Sequence, residues 1–161
     1  AEAYQKIWWD EGSPLIVISE RLQKKIQALE LGDVVRMVQN VSDMPAVYSL
    51  VDIVVSASLR PEAFGRVAIE AQAMECLVVA TNHGGSCETV IPKKTGWLVE
   101  TDDAEAFSGV LKRALELGED KRKKMVKAAR KNVRNHFSLT QMTDKTLDVY
   151  KDVLNLRNDI A

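Results

Sequence analysis

The order of apolar runs along this chain predicts an α/β fold: a doubly wound parallel sheet with helices on its faces. Three observations carry it. Short runs of aliphatic and β-branched residues alternate with stretches whose apolar residues recur at helical spacing, as in successive βαβ units. The strand-like runs are apolar throughout, as strands buried on both faces are. The 161 residues, 46% of them hydrophobic, suffice for about one domain that buries most of its apolar surface.

Element by element, a helix around Tyr4, Ile7 and Trp8 opens the chain, with Trp8 and Trp9 covering the sheet. Strand Leu15–Ser19, helix Glu20–Leu31, strand Val34–Val38 and a short helix Met44–Leu50 follow. Asp52–Ser56 (Asp-Ile-Val-Val-Ser) reads as a buried parallel strand. Gly65 opens a helix that is nearly all apolar or small from Val67 to Met74. After strand Leu77–Ala80 come the turn Asn82-His83-Gly84-Gly85, a short helix near Cys87–Ile91 and strand Trp97–Val99. Asp102 or Asp103 caps a helix with Ala104, Phe107, Leu111 and Ala114 on one face, and Gly118 closes it. Two further helices carry Met125, Ala129 and Val133, then Leu147, Tyr150 and Leu154, in register.

The chemistry concentrates in Pro61-Glu62-Ala63-Phe64-Gly65-Arg66-Val67-Ala68-Ile69-Glu70, where seven residues separate two carboxylates. Glu70 interrupts an apolar helix face, and a carboxylate buried there costs several kcal/mol unless it is paired or hydrogen-bonded. A vicinal diol, such as that of a ribose, would satisfy both its oxygens. Glu62 falls in the loop leaving the carboxyl end of a strand, where open α/β sheets place their ligand crevices. Between the acids, Phe64 and Gly65 open the helix, so unpaired N–H groups and the positive end of its dipole face that crevice. A phosphate or sugar hydroxyl can dock there. The plainer alternative is that Glu62 caps the helix and Glu70 pairs with a lysine or arginine.

Gly84-Gly85, with Glu88 three residues on, reads either as an anion-binding nest near a sugar or as an ordinary turn. His83 reads as a sugar contact or a solvent-facing loop histidine, and Arg60 and Arg66, which flank Glu62, as solvated loop arginines or as cations that neutralise a bound diphosphate. Residues 112–136 carry ten Lys/Arg against three acids. This basic stretch is either the solvated face of a helix or, through Lys121–Arg134, a peripheral contact with anionic lipid headgroups.

Exclusions narrow the field further. A net charge of −1 gives no reason to expect nucleic acid as a partner. No run of 18 apolar residues marks a membrane span, and no G-x-G-x-x-G follows the first strand, which argues against a nicotinamide enzyme. Cys76 and Cys87 lack metal-ligand spacing and fit a reducing cytosol. No Asp/Glu/His cluster suggests a metal. The sequence opens at Ala1-Glu2-Ala3-Tyr4 without a signal peptide or an initiator methionine, and it reads as part of a longer chain.

From about Leu15 to Phe137 the sequence resembles the retaining GT-B-fold glycosyltransferases of family 4 (group 1). The resemblance rests on Asp52-Ile53-Val54-Val55-Ser56, the acid pair, Glu70-Ala71-Gln72-Ala73, Val78-Val79-Ala80-Thr81, Gly84-Gly85-Ser86-Cys87-Glu88-Thr89-Val90, Gly96-Trp97-Leu98-Val99 and His136-Phe137-Ser138, in the family's order and spacing. It implies the carboxyl-terminal, donor-binding half of a GT-B fold. Residues 1–137 would form the Rossmann-like nucleotide-sugar domain without the strand that lies mid-sheet in the family, and residues 138–161 a helix packing back toward an amino-terminal acceptor domain. The chain alone is then expected to be inactive, because it lacks the family's diphosphate-neutralising Arg/Lys pair.

By the same resemblance the donor is a nucleoside-diphosphate sugar. Glu62 is the catalytic residue, its carboxylate orienting the sugar through its hydroxyls, Glu70 holds the ribose, and Ala63, Phe64, Gly65, Gly84 and Gly85 complete the donor site, with Met37–Val41 bordering the base. No metal or other cofactor is implied. The acceptor is unknown, with lipid-linked and polysaccharide acceptors both open, and the expected location is cytoplasmic, extending to the inner membrane face. Ala63 stands where glycine is usual, Glu75 where the helix normally ends in glycine, Leu77 where proline is usual and Gln39 where glycine commonly lies under the base. These departures leave room for a non-catalytic nucleotide-binding or interaction module of the same fold, and a phosphorylase or synthase of the GT-B class shares this half.

Overall fold

The computed structural model describes residues 14–38 and 41–158. They fall in two compact units divided after Met44. The expected helix around Tyr4 and Trp8, the sheet-covering Trp8 and Trp9, and Gln39 lie outside the described residues.

In the first unit, helix α1 spans Pro14–Ala28. A strand was expected at residues 15–19, and the backbone there is helical instead. A four-residue apolar run cannot be told from a helical turn by periodicity alone. Here Pro14 supplies a helical φ where its missing N–H is not needed, and residues 20–28 are mostly good helix formers. Extending the helix back through the apolar run adds one hydrogen bond per residue. The helix closes in a Schellman arrangement with Glu30 at φ 53°, Leu31 N–H donating to Ile26 O at 2.9 Å and Glu30 N–H to Gln27 O at 3.0 Å. The strand expected at residues 34–38 is irregular chain, with Val34 and Val38 exposed at 75% and 73%. Strands persist where a neighbour takes their N–H and C=O groups, and the described sheet does not include this segment.

The second unit holds the sheet. A short helix α2 (Met44–Ser49) leads into strand β1 (Ile53–Ser56), and helix α3 (Arg66–Ala73) connects it to β2 (Leu77–Thr81). Helix α4 (Ser86–Thr89) and strand β3 (Trp97–Val99) follow. The three strands are parallel in the order β1-β2-β3, with Ile53 opposite Leu77 and Val79 opposite Trp97. Every residue of β2 is buried, as the central strand of a sheet covered on both faces must be. Helix α5 (Ala104–Leu115) packs on one face, where Val110 and Ala114 meet Val79 and Val99 with Phe107 and Leu111 beside them.

Helix α3 packs against α6 (Glu119–His136), whose Val126, Ala129 and Val133 are buried. Asp103 is the cap of α5, accepting from Ala106 N–H at 2.8 Å. Gly118 does not close α5: the helix ends at Glu116, and Gly118, with extended backbone, is the N-cap of α6. The last helix, α7 (Leu139–Asn158), keeps Leu147, Tyr150 and Leu154 on a common face, but all three are at least half exposed. No described helix is long and apolar enough to cross a membrane.

Candidate functional site

Two loops leave the carboxyl ends of β1 and β2 and interlock. Ser58 anchors the first: its carbonyl accepts from Thr81 Oγ1 at 2.9 Å and lies 2.7 Å from His83 Nε2, while its own hydroxyl donates to Glu62 Oε1 at 2.6 Å. Glu62 is thereby fixed by a hydroxyl that leaves its other oxygen free for a ligand. His83 serves the loop scaffold through Ser58; with Nε2 donating, its buried Nδ1 is an acceptor that has no partner.

Gly84 and Gly85 form the second loop, and the structure gives them a packing task. Gly85 N–H donates to Glu62 O at 2.8 Å. A Cβ at Gly84, where φ is +55°, would lie 2.5 Å from Glu62 O, and one at Gly85 would lie 2.4 Å from the carbonyl carbon of Phe64. Only glycine lets the two loops approach this closely. The Gly85 N–H is committed to the acid loop and is not free for an anion.

Gly65, at φ 71° and ψ 53°, turns that loop into α3. Among the described residues no acceptor meets the N–H groups of Gly65, Arg66 and Val67; Gly65 is buried, while Arg66 and Val67 are exposed, so the positive end of the helix is open at those two residues. Phe64 sets its ring edge-on against Phe137 at 6.0 Å, which uses the aromatic of the His-Phe-Ser segment to steady the loop. Ala63, on the same loop, is exposed.

Glu70 differs from the expectation of a buried carboxylate awaiting a ligand. Its side chain is 34% exposed and both oxygens have partners: Oε1 accepts from Arg66 Nη2 at 2.8 Å and Nε at 3.1 Å, and Oε2 accepts from the Tyr48 hydroxyl at 3.1 Å. Arg66 is therefore an ion-pair partner rather than a solvated bystander, although its side chain remains 82% exposed. Burial first, then the hydrogen bond to Glu70 and its charge, push the Tyr48 hydroxyl up to about 12. Tyr48, Ser58 and Thr81 escaped the residue-level reading. The signal for Tyr48 was faint: it is the one aromatic between Trp9 and Phe64.

Six expected residues, Glu62, Ala63, Phe64, Gly65, Gly84 and Gly85, share these two loops, with Glu70 just over one helical turn beyond. A hollow of about 380 Å³ adjoins them at the strand ends, lined by Ala57, Leu59 and Thr81 on one side and Glu100, Asp102 and Phe107 on the other. Neither acid lines it; Glu62 and Glu70, both partly exposed, form a shelf of their own. Residues 37–41, expected to border a base, are described only in part. Among the described residues no three His, Cys, Asp or Glu side chains gather as a metal-ligand set.

On α6, Arg122 pairs with Asp52, Lys123 with Glu119 and Arg130 with Glu75. Lys124, Lys127, Lys131 and Arg134 form an exposed stripe beside a hollow of about 560 Å³.

Residues 17–132 match the family described as Glycosyl transferases group 1. The chain is 32% identical over 118 residues to the capsular polysaccharide biosynthesis glycosyltransferase CapM of Staphylococcus aureus, covering 73% of this chain and 30% of that protein. Among solved structures, a glycosyltransferase from Rickettsia africae ESF-5 matches with a TM-score of 0.81 at 43% identity, over 84% of this chain and 36% of that one. The C-terminal domain of a glycosyl transferase group 1 family protein (LpcC) from Francisella tularensis matches with a TM-score of 0.65 at 26% identity, over 76% of this chain and 63% of that one. The chain spans 30% of CapM and 36% of the Rickettsia protein.

Proposed function

Since the chain belongs to the glycosyl transferases of group 1 and has the α/β, Rossmann-like architecture of the C-terminal half of a GT-B fold, we propose that it is the donor-binding half of a family 4 enzyme that transfers a sugar from a nucleoside diphosphate with retention of configuration. The observation that carries this reading is the pairing of Glu62 and Glu70 across an open helix N-terminus. The nucleotide ribose takes Glu70, where its hydroxyls replace the exposed Arg66 on Oε1. The diphosphate or sugar lies over the Gly65, Arg66 and Val67 N–H groups. Sugar hydroxyls reach the free oxygen of Glu62, whose other oxygen is held by Ser58.

In the transfer, the bond from the anomeric carbon to the diphosphate oxygen breaks, and a bond to an acceptor hydroxyl forms on the same face. The acceptor proton leaves on the departing diphosphate. The transition state is oxocarbenium-like, so these residues contribute orientation and electrostatics rather than proton transfer. Charge on the diphosphate is neutralised in part by the helix end, without a metal. The shelf is open, which fits a site whose other wall, with the acceptor, comes from an amino-terminal domain. We place the enzyme in the cytoplasm, with α6 able to rest its Lys121–Arg134 stretch on an anionic membrane face when the acceptor is lipid-linked. A non-catalytic module of the same fold has one observation in its favour, the Arg66–Glu70 pair that already satisfies the second acid.

Titration calorimetry of the full-length protein with UDP, GDP and ADP tests the reading. One of the three binds, and Glu70→Ala weakens it by about 1 to 3 kcal/mol, the cost of stranding hydrogen-bond partners, with Glu70→Gln losing less. Unchanged affinity in both variants would remove Glu70 from the site.

A further inference from the structure

Tyr48 is only 4% exposed, although it lies on a six-residue helix at the edge of the unit. Its main chain is tied down as well: Cys76 Sγ, at the entrance to β2, donates to Tyr48 O at 3.2 Å. A buried ring with two torsions, anchored at its backbone, presents its hydroxyl along one direction, and that direction ends on Glu70 Oε2 at 3.1 Å. The two partners of Glu70 are thus unlike. Arg66 is a solvent-screened neighbour one turn away, held by a pair of the kind that contributes little and exchanges readily. Tyr48 comes from 22 residues upstream, before β1, and its ring is buried.

We propose that Tyr48 is a positioning residue of the donor site, holding Oε2 of Glu70 so that Oε1 is presented to the ribose once Arg66 is displaced. The inference rests on the reading of Glu70 as the ribose-binding acid. A carboxylate free to rotate about its terminal torsions loses that freedom when it engages a diol, and a fixed hydrogen bond removes part of the loss in advance. The phenol suits this task because it stays protonated, and therefore remains a donor, throughout the neutral range.

The test is a double-mutant cycle read by calorimetry, with whichever of UDP, GDP and ADP the full-length protein binds most tightly. Tyr48→Phe removes one oxygen and is expected to weaken nucleotide binding three- to tenfold. In the Glu70→Ala background the same change should have no further effect, which a merely structural tyrosine would not reproduce. Equal losses in the two backgrounds, or no loss with Glu70 present, overturn the inference while leaving the reading of Glu70 intact. A Glu70→Ala protein that binds as tightly as the parent overturns both. If Tyr48→Phe does not fold, the tyrosine titration followed by NMR in the parent and in Glu70→Gln takes its place: the Tyr48 phenol should ionise at lower pH in the variant, and coincident curves overturn the inference.

Discussion

Glu62 and Glu70 are both carboxylates at the end of the same sheet, but the chain holds them by different means. Glu62 sits in a loop whose backbone is gripped by a second loop, with Gly85 N–H on its carbonyl and the Gly84 and Gly85 α-carbons against residues 61–64. Its side chain is then set by a single hydroxyl from Ser58. Glu70 stands on a regular helix that needs no such grip, and its side chain is set by a buried phenol and an exposed guanidinium. A loop acid depends on close backbone packing, whereas a helix acid depends on side-chain partners. Substitutions should therefore damage the two positions through different neighbours.

The largest effect is expected where the loops touch. Gly85→Ala places a Cβ 2.4 to 2.5 Å from three backbone atoms of Phe64, which cannot rotate away. The cost is about 3 kcal/mol of stability, the upper end of ordinary overpacking, and should appear as a lowered thermal midpoint. An unchanged midpoint would mean that the acid loop is not gripped as described.

Glu62→Ala comes next, as a test of what the grip is for. In the complete enzyme it should lower kcat roughly 100-fold, about 2.7 kcal/mol of transition-state stabilisation, while nucleoside diphosphate affinity barely moves. Glu70→Ala should show the opposite pattern. Steady-state rates and calorimetry on both variants would erase the distinction if each variant lost rate and affinity together.

Ser58→Ala probes the single hydroxyl behind Glu62. Losing one hydrogen bond to a carboxylate should cost about 1 to 1.4 kcal/mol, seen as a roughly five- to tenfold fall in kcat with nucleotide affinity kept. A rate equal to the parent's would show that Glu62 is held by its backbone alone.

The smallest effect belongs to Arg66→Ala. An exposed (i, i+4) pair contributes a few tenths of a kcal/mol, so the thermal midpoint should hardly shift. Nucleotide affinity should stay within about twofold, because removing a cover that the ribose displaces opposes any weak attraction to the phosphate. A tenfold loss would instead make Arg66 a ligand-binding residue and sharpen the contrast with Tyr48.

Much of this was legible in residue order, and what escaped did so for physical reasons. The strands at residues 53–56, 77–81 and 97–99 are short apolar runs bounded by turn residues, and the gathering of Glu62, Phe64 and Gly65 follows from their adjacency in the chain. Residues 15–19 defeated the same reasoning, because an apolar run becomes a strand only when a neighbour pairs with it and otherwise joins the adjoining helix. Gly118 has turn chemistry that suits either the end of one helix or the start of the next, and only the backbone path decided for the latter.

Read alone, the order of residues determined that the chain builds parallel βαβ units, and that a glycine-opened helix carries one acid before it and another within it. These features arise from patterns within a few residues, where spacing sets which face a side chain occupies. Only the tertiary structure decided that Gly84 and Gly85 pack on the acid loop, that Ser58 holds Glu62, and that Glu70 is shared between Tyr48 and Arg66. Glycine and tyrosine carry no mark of their partners. A contact across 22 residues exists only once β1 has paired with β2 and α2 has come beside α3.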